Sequence, residues 1–529
     1  MSSAPESSWI RDLSAAAAFP VAVAEVEVLQ THISAVFLGG NIAYKVKKPV
    51  DLGFLDFTTL ERRRHFCMEE VRLNRRLAPH VYLGVVPIAQ TSAGLRFEAD
   101  GPVVDWAVKM TRLSPDDDLE HRLERAAIDP PQIRSLAQRI ATFHRSMPSS
   151  DAIAAQARWN VVAENVLANI AAAQNHVGQT VSAPVLDRLT RLTRQVLDRL
   201  RPLIERRAAA GVPRDTHGDL RVDHVYHFPD SPPPNDWCIL DCIEFNERFR
   251  FADPVADSAF LVMDLAFHGR WDLARSFADE YLRAANDAEG RALLPLYASY
   301  RAAVRGKVEA ILQDETEVPN VERTAALQRS KAHWLASLCW LESAPTRPQI
   351  LMIGGLPGSG KTTLAQNLAQ RIGAELVRSD VVRKELAGVT VAASQAAPFG
   401  EGIYTEAWNQ KTIAELERRV EKILWTGAPA IVDASFRRDA DRRRMESCAR
   451  RWGVPIVFFH CVVAAEVAQT RLANRHGDAS DATASIYADT ARLWEPLSPP
   501  IDRVTHRMNT NVEVAIVMED AIKKLAEAL

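Results

Sequence analysis

The chain of 529 residues lacks several features that would place it at once in a specialised class of protein. Its six cysteines form no CxxC pair, so we expect buried thiols in a reducing compartment rather than a zinc site or a disulfide framework. It contains neither HExxH nor a nucleophile elbow, and no 18 apolar residues run together. No basic segment precedes the short alanine run near the N-terminus, so we expect a cytoplasmic protein without a membrane span.

The chain also has little excess of charge of either sign. Lysine and arginine number 64 against 67 acidic residues, for a formal net charge of −3. Because duplex DNA is bound mainly by neutralising its phosphates, this balance disfavours a dedicated duplex-binding protein. Hydrophobic residues make up 47% of the chain, which is typical of globular proteins, and its length predicts two to four domains.

Two different patterns follow one another along the sequence and predict two unlike domains. About the first 110 residues are rich in β-branched alternation, with a hairpin signal at Gly39-Gly40-Asn41 and a helix expected at 59–77. A mostly helical region extends from about 130 to 342. After a candidate linker at 342–349, strands alternate with helices, which is typical of a parallel, doubly wound sheet.

The strongest motif is GLPGSGKT, which begins at Gly355 and fits GxxxxGK[ST]. It directly follows an apolar strand and opens a helix, which is the context that a phosphate-binding loop requires. In such a loop Lys361 reaches the β- and γ-phosphates and Thr362 ligates Mg²⁺, so ATP and Mg²⁺ are the expected cofactors. The expected nucleotide-binding residues are Gly355, Pro357, Gly358, Ser359, Gly360, Lys361, Thr362 and Thr363.

Charged residues follow two further strands of this region. Asp380 lies where ligands bind in open α/β sheets and can orient an acceptor hydroxyl, while Arg383 can hold a substrate anion. A helix cap beside a surface arginine is the alternative. Asp433 ends the next strand as a candidate metal ligand or as a structural cap. Arg471 and Arg475 lie one helical turn apart and can form a lid over the transferring phosphate or a solvated face.

On the motifs GLPGSGKTT, SDVVR, VDASF and RLANRHGDASDA, residues 346–529 resemble P-loop kinases of the polynucleotide kinase, zeta-toxin and gluconate kinase type. The resemblance implies phosphoryl transfer to a hydroxyl of a small molecule or of a nucleic-acid 5′ end. It does not specify the acceptor. The arginine-rich segment 437–451 can collect an oligonucleotide, but acidic residues within it partly neutralise the charge, so a nucleic-acid partner is not favoured.

A second motif, HGDLRVDH at residues 217–224, lies in the first domain. An aspartate in a tight loop after His-Gly, here Asp219, can accept a hydrogen bond from a substrate hydroxyl and aim it at a phosphate. Asp241 follows about 20 residues later, at the end of an apolar strand. Carboxylates on both sides of a hairpin suit a site for a nucleotide with Mg²⁺.

Residues 25–325 resemble the aminoglycoside phosphotransferase family, whose fold is similar to that of protein kinases. The resemblance implies a catalytic role for Asp219 and a metal-binding role for Asp241. His224 stands where the family hallmark HGDxxxxN has its metal-binding asparagine. Because Mg²⁺ prefers oxygen ligands, either Asp223 or a water substitutes for the asparagine, or the site is weak or inactive.

In the strand-rich lobe, the same resemblance implies a lysine that contacts phosphate and a glutamate that pairs with it. Lys45 and Lys47 share one face of a strand, and the position in the motif favours Lys45. Glu70 is favoured over Glu69 as the partner on the next helix. A surface pattern of lysine and glutamate is the alternative. Asp257 resembles a family position that is mainly structural.

The sequence therefore predicts an α+β, protein-kinase-like, two-lobed domain and an α/β P-loop domain with a parallel sheet. The predicted bounds are an N-terminal tail at 1–24, the kinase-like domain at 25–325, a helical connector and linker at 326–348, and the P-loop domain at 349–529. The expected activity is ATP- and Mg²⁺-dependent transfer of phosphate to a small-molecule hydroxyl, with the P-loop domain as the surest catalytic unit.

Three interpretations of the pair of domains remain open at this point. Both are kinases, or the first is a regulator that binds a nucleotide or metabolite, or the P-loop domain is a nucleotide switch. The lid arginines and Asp380 speak against a switch, because a switch needs no acceptor base. The identity of the acceptor and the oligomeric state are not specified by any motif.

Overall fold

The computed structural model describes residues 8–53, 55–315, 318–390, 402–474 and 484–527. It divides into two compact units, each assembled from separate stretches of chain. Unit 1 comprises Met1–Ala163, Leu200–Asp264 and Ser276–Leu294, and unit 2 comprises Glu164–Arg199, Leu265–Arg275 and Pro295–Leu529. The domain bounds given above follow changes of sequence pattern rather than compactness, and they stay predictions.

A six-stranded antiparallel sheet forms the first part of unit 1, in the order β1-β2-β3-β6-β4-β5. The predicted hairpin is present, because Gly39 pairs with Ile42 across a turn in which Gly40 has a φ of 57°. The predicted helix is α2 (Leu60–Asn74), and α1 (Ser8–Leu13) precedes the sheet. The strands are β1 (Val26–Gln30), β2 (Ser34–Gly39), β3 (Ile42–Lys47), β4 (Tyr82–Thr91), β5 (Gly94–Phe97) and β6 (Val103–Thr111).

Residues 8–19, which the sequence pattern assigned to an N-terminal tail, pack on this sheet. Ile10 and Leu13 of α1 are buried together with Phe19, and the three side chains join Phe37 and Phe97 in one hydrophobic core. Burial of each such side chain contributes about 1.5–3 kcal/mol. The segment is therefore part of the sheet lobe.

A mainly helical region follows the sheet. Two short antiparallel pairs, β7 with β10 and β8 with β9, lie within it and flank the HGD motif. The strands are β7 (Arg214–Asp215), β8 (Val225–His227), β9 (Trp237–Ile239) and β10 (Phe251–Ala252). The helices are α3 (Leu119–Glu124), α4 (Pro130–Ser146), α5 (Asp151–Gln156), α6 (Trp159–Ala172), α7 (Ala183–Ala209), α8 (Pro254–Phe267), α9 (Trp271–Ala285), α10 (Leu294–Asp314) and α11 (Asn320–Leu341).

Unit 2 contains the predicted parallel sheet, in the order β12-β13-β11-β14-β15. Its central strand is buried at every position, as expected for a parallel strand covered on both faces. The strands are β11 (Ile350–Gly355), β12 (Glu375–Arg378), β13 (Ala430–Asp433), β14 (Ile456–Val462) and β15 (Thr505–Asn509). The helices are α12 (Lys361–Ile372), α13 (Ser379–Leu386), α14 (Glu406–Trp425), α15 (Asp439–Arg451), α16 (Ala465–Ala473), α17 (Ala484–Arg492), α18 (Pro499–Asp502) and α19 (Val514–Glu527). The predicted fold class is confirmed.

The candidate linker at 342–349 is packed within unit 2 rather than extended in solvent. The side chains of Arg347 and Gln349 are buried, and Gln349 donates a hydrogen bond to the carbonyl of Ala344 at 2.7 Å. Among the described residues, no helix combines the length and the apolar character needed to cross a lipid bilayer.

Candidate active sites

The phosphate loop joins β11 to α12, and its path depends on glycine. Gly358 and Gly360 have φ values of 75° and 81°, in the left-handed region that other residues rarely adopt. A Cβ atom on Gly358 would lie 2.5 Å from the backbone oxygen of Ala468. At the start of the loop, the N–H of Gly355 donates to the carbonyl of Ser435 at 3.1 Å. The sequence thus fixes a narrow backbone loop at the N-terminus of a helix, where anions bind.

Three side chains of this loop fit a nucleotide phosphate accompanied by Mg²⁺. The hydroxyl of Thr362 donates to Oδ2 of Asp433 at 2.7 Å, and Nζ of Lys361 donates to the carbonyl of Leu356 at 3.0 Å. The Oγ of Ser359 is buried and has no hydrogen-bond partner among the described residues, which leaves it available to a phosphate oxygen. Of the other predicted binding residues, Pro357 is half-buried and Thr363 is exposed.

Asp433 ends β13 directly beside the strand that leads into the phosphate loop, paired in register with Ile353. Burial raises the pKa of its carboxyl above the usual value, although Lys361 and the hydroxyl of Thr362 oppose this shift. Nε of Arg378 lies 3.5 Å from Oδ2 of Asp433. A bound cation would stabilise the charged form of a carboxylate desolvated in this way, so Asp433 is suited to be a metal ligand.

Asp380 and Arg383 lie on α13, which begins directly after β12. The charge of Asp380 acts on both Asp433 and Arg383, so the three residues share one electrostatic neighbourhood. Burial lowers the pKa of Arg383 although Asp380 opposes the shift. The Arg383 guanidinium donates to the carbonyl of Ile403 at 2.9 Å and lies over the ring of Tyr404. The structure thus brings the predicted acceptor base and anion-binding residue to the end of the sheet that carries the loop.

Arg471 of the predicted lid lies beside the phosphate loop. Its Nη1 is 3.6 Å from the position that a Cβ on Gly360 would take, and its Nη2 donates to the carbonyl of Thr510 at 2.8 Å. Arg475 lies outside the described residues. Thr510 escaped the sequence analysis, although its hydroxyl donates to the carbonyl of Ser359 at 2.7 Å. Thr510 comes directly after β15 and belongs to no sequence motif, so only the fold shows that it contacts the phosphate loop.

In unit 1, both candidate lysines of β3 meet Glu70 of α2. Nζ of Lys45 lies 2.9 Å from Oε1 of Glu70 and 2.6 Å from Oδ1 of Asp241. Nζ of Lys47 lies 2.6 Å from Oε2 of Glu70 and also contacts Glu244. Only Lys45 of the two has an ion pair with Asp241 among the described residues. We call these five residues the buried ion cluster.

The carboxylates of the buried ion cluster outnumber its lysines by three to two. Burial alone would lower the pKa of Lys45, but the facing charges of Asp241 and Glu70 hold it well above the usual value. Burial alone would raise the pKa of Asp241, but the charge of Lys45 and its hydrogen bond hold it well below the usual value. Glu69, the alternative partner, instead makes an exposed ion pair with Arg72 at 2.7 Å. Glu244 was not among the predicted site residues, since no motif links it to Lys47.

The loop that carries Asp219 is held by its backbone. The N–H groups of His217 and Gly218 donate to the carboxylate of Asp257 at 3.0 and 2.8 Å, and His144 contacts the same carboxylate at 2.9 Å. Gly218 has a φ of 89°. The buried Asp257 therefore fixes the loop, while the side chain of Asp219 remains 27% exposed.

His224 lies between the carboxylates of Asp219 and Asp241. Its Nδ1 is 3.0 Å from the backbone oxygen of Asp219 and 3.5 Å from its Oδ2, and its Nε2 is 3.8 Å from Oδ2 of Asp241. The structure thus brings together the four residues predicted around this centre: Asp219, His224, Asp241 and Lys45.

The phosphate loop and the parallel sheet define unit 2 as a P-loop protein, and a family described as an AAA domain matches residues 350–497. The predicted P-loop resemblance is thereby confirmed. Two mycobacterial proteins, uncharacterized protein Rv2004c of Mycobacterium tuberculosis and uncharacterized protein Mb2027c of Mycobacterium bovis, are each 31% identical to this chain over 470 residues. The alignment covers 88% of this chain and 89% of each relative. The chain belongs to their family.

Several solved structures are similar to a part of the chain. The GDP complex of aminoglycoside 2′-phosphotransferase-IIIa covers 59% of this chain and 94% of its own, with 17% identity and a TM-score of 0.39. A sugar kinase from Janibacter sp. covers 35% of this chain and 98% of its own, with 22% identity and a TM-score of 0.27. A gluconokinase from Sinorhizobium meliloti covers 35% and 94%, with 17% identity and a TM-score of 0.26. The phosphate loop and its family match support a phosphotransferase.

Proposed function

We propose that this chain is an ATP- and Mg²⁺-dependent phosphotransferase that moves the γ-phosphate to a hydroxyl of a small molecule. The P-loop site is its principal catalytic centre. The observation that carries the proposal is the 2.7 Å contact between Thr362 and Asp433, beside Lys361 and the hydroxyl of Ser359, which has no partner within the part of the chain that the structure describes. A loop that only turned a strand into a helix would need neither the buried carboxylate nor the orphaned hydroxyl.

When bound, Mg²⁺–ATP supplies the phosphoryl group and spreads its charge. Lys361 and the loop backbone bind phosphate oxygens, and Thr362 and Asp433 hold the metal. Asp380 orients the acceptor hydroxyl and takes its proton. The remaining roles belong to arginines: Arg383 binds an anionic part of the acceptor, and Arg471 and Arg475 stabilise charge on the transferring group.

The buried ion cluster favours a second activity, in which unit 1 is itself a kinase. The supporting observation is that Lys45 contacts both Glu70 and Asp241. In this activity Lys45 binds phosphate, Asp219 orients a second hydroxyl, and Asp241 with His224 holds the metal. The alternatives are a regulatory domain that binds a nucleotide or metabolite, or a P-loop site that acts on nucleic-acid 5′-hydroxyl ends.

The test is release of ADP from Mg²⁺–ATP in the presence of a panel of acceptors: amino sugars, aminoglycosides, sugars, nucleosides and 5′-hydroxyl oligonucleotides. The full chain is compared with Lys361→Ala, Asp219→Ala and the double variant. Lys523→Ala is the matched control, because Lys523 is exposed on α19 and remote in sequence from every motif. A lysine or arginine at the transferring phosphate is commonly worth about 10³-fold or more in rate.

We expect one acceptor class to stimulate release, and Lys361→Ala to reduce that stimulated rate by about 10³-fold. A loss with Asp219→Ala alone would instead make unit 1 the working kinase for that acceptor. Stimulated turnover that persists at the full rate in the double variant would contradict the proposal. The Lys523→Ala control should match the unaltered chain in every arm.

A further inference from the structure

We infer that the candidate site of unit 1 selects a divalent ion of the first transition row over Mg²⁺, with Nε2 of His224 and Oδ2 of Asp241 as its protein ligands. The inference rests on the proposed function in one respect: it assumes that unit 1 binds this ion together with a nucleotide. It assigns the site a metal preference different from that of the P-loop site.

The tautomer of His224 follows from its contact with the backbone. Nδ1 lies 3.0 Å from the carbonyl oxygen of Asp219, and a carbonyl oxygen can only accept a hydrogen bond. Nδ1 must therefore carry the hydrogen. In the neutral ring the lone pair is then on Nε2, which is the form of imidazole that binds metals.

The lone pair on Nε2 faces carboxylate oxygens at a spacing that suits a shared ion. Oδ2 of Asp241 lies 3.8 Å away, too far for a hydrogen bond; Oδ2 of Asp223 lies 4.0 Å away but is held by Arg221 at 2.6 Å. Two donors that bind one ion at about 2.1 Å each are separated by about 3 to 4 Å, depending on the angle between them. Lys45 occupies the other oxygen of Asp241 at 2.6 Å, which leaves Oδ2 for the ion.

A donor pair of one nitrogen and one oxygen does not fit Mg²⁺ well. Mg²⁺ is a hard ion that demands oxygen ligands in nearly ideal octahedral geometry and rarely accepts imidazole. Ions of the first transition row accept both imidazole and carboxylate. In the P-loop site, by contrast, the two candidate protein ligands are the hydroxyl of Thr362 and the carboxylate of Asp433, which are both oxygen donors.

A different cluster, Glu417 with Glu421 and Cys448, also brings metal-ligating atoms together among the described residues. Its carboxylates are already engaged, because Glu417 pairs with Arg444 and Arg451, and Arg451 also pairs with Glu421. Ion pairing accounts for this cluster without a metal.

The test uses Mn²⁺ as the probe in the full chain, with Lys361→Ala present throughout to disable the P-loop nucleotide site. Bound Mn²⁺ is measured by electron paramagnetic resonance, with and without the β,γ-methylene analogue of ATP, while Mg²⁺ competes. Electron spin echo modulation then reports whether a ¹⁴N nucleus is bound to the ion. His224→Asn replaces the ring by an oxygen donor, and His80→Asn, at an exposed histidine, is the matched control.

We expect ¹⁴N modulation in the parent and in His80→Asn, and its loss in His224→Asn. His224→Asn should also shift the ratio of Mn²⁺ to Mg²⁺ affinity toward Mg²⁺ by about tenfold or more, the scale on which altered ligand environments change metal affinity. Modulation that survives in His224→Asn, or an unchanged affinity ratio, would overturn the inference.

The arms of this experiment separate the inference from the proposed function. If the analogue binds equally well with Mg²⁺ and with Mn²⁺, the result supports the second kinase activity but contradicts the inferred metal preference. If the analogue binds with neither ion, the kinase proposal for unit 1 falls. The arm with Mn²⁺ alone then decides whether His224 is a metal ligand.

Discussion

The two proposed phosphate sites are built by different physical means. In unit 1, side chains of opposite sign pair with one another: the buried Glu70 contacts both Lys45 and Lys47, Glu244 contacts Lys47, and the partly exposed Asp241 contacts Lys45. In unit 2, the backbone of a glycine loop forms the cradle and Lys361 donates to a main-chain carbonyl. The difference predicts which substitutions each site tolerates.

Interdependence is the main property of the buried ion cluster. Lys47 and Glu70 have fully buried side chains, so each depends on the other for its charge to be stable away from water. The phosphate loop depends instead on the absence of side chains, since Gly358 leaves no room for a Cβ atom. Removal of a charge should damage the first site, and addition of a methyl group should damage the second.

The largest expected effect is that of Glu70→Ala on the stability of unit 1. The substitution removes the fully buried carboxylate that contacts both lysines, while Lys45 keeps its contact with Asp241 and Lys47 keeps its contact with Glu244. Breaking a buried pair costs about 3–5 kcal/mol where the remaining charge has no other partner, so we expect a cost at the lower end, about 3 kcal/mol. Hydrogen exchange of the β3 amides as a function of urea measures the free energy of opening. A cost below about 1 kcal/mol would mean that the cluster is hydrated and that its charges are independent of one another.

Next in size is the pH dependence contributed by His217. Burial lowers the pKa of its imidazole from 6.5 to about 4. Protonation therefore favours the unfolded chain, so this contribution to stability is complete above about pH 6.5 and declines as the pH falls to about 4, by up to about 3 kcal/mol. His217→Asn keeps a hydrogen-bond acceptor near the position of Nδ1. In this variant the urea midpoint of unit 1 should vary less with pH between about pH 4 and 6.5.

The exposed His80 provides the control for that titration, because His80→Asn should leave the slope with pH as it is in the unaltered chain. A slope equally steep in His217→Asn would mean that other groups set the acid sensitivity of unit 1.

The features that could be predicted from the sequence are those that depend on a few residues close together in the chain. The phosphate loop, the HGD motif and the Gly39-Gly40 hairpin each need fewer than ten neighbouring residues, and local geometry follows from such stretches. The partners that sequence missed are distant in the chain. Glu244 meets Lys47 across 197 residues, and Thr510 reaches Ser359 across 151. Periodicity does not encode such contacts.

The ambiguous choices were decided in the same way, by packing rather than by pattern. Glu69 and Glu70 are neighbours on one helix, and only the fold shows that Glu70 points to the lysines while Glu69 faces Arg72. The sequence analysis placed residues 1–24 in an N-terminal tail, yet side chains of residues 10–19 join the aromatic core of the sheet. The substitution at His224 was visible in the sequence, but its tautomer required the contact with Asp219.

A smaller effect is expected of Gly358→Ala, which tests the backbone cradle. The added methyl group would lie 2.5 Å from the backbone oxygen of Ala468 at a φ of 75°. We expect at least about a tenfold loss of affinity for a nucleotide analogue, or about 1.4 kcal/mol, measured by calorimetry with Asp219→Ala as background. Gly373→Ala is the matched control, because Gly373 also has a left-handed φ of 68°, but no described residue has an atom within 4 Å of the new Cβ. Equal losses in both variants would attribute the effect to backbone strain alone.

The smallest expected effect is that of Glu69→Ala, which sharpens the contrast with its neighbour. Glu69 is 28% exposed and pairs with Arg72, which is 57% exposed, so water screens the pair. Such surface pairs contribute about 0–1 kcal/mol. By the same hydrogen-exchange measurement, Glu69→Ala should therefore change the opening free energy of β3 much less than Glu70→Ala does. Because the two residues share a helix and a residue type, a comparable loss in both would trace the effect to α2 itself, and the buried ion cluster would then have no special part in stabilising unit 1.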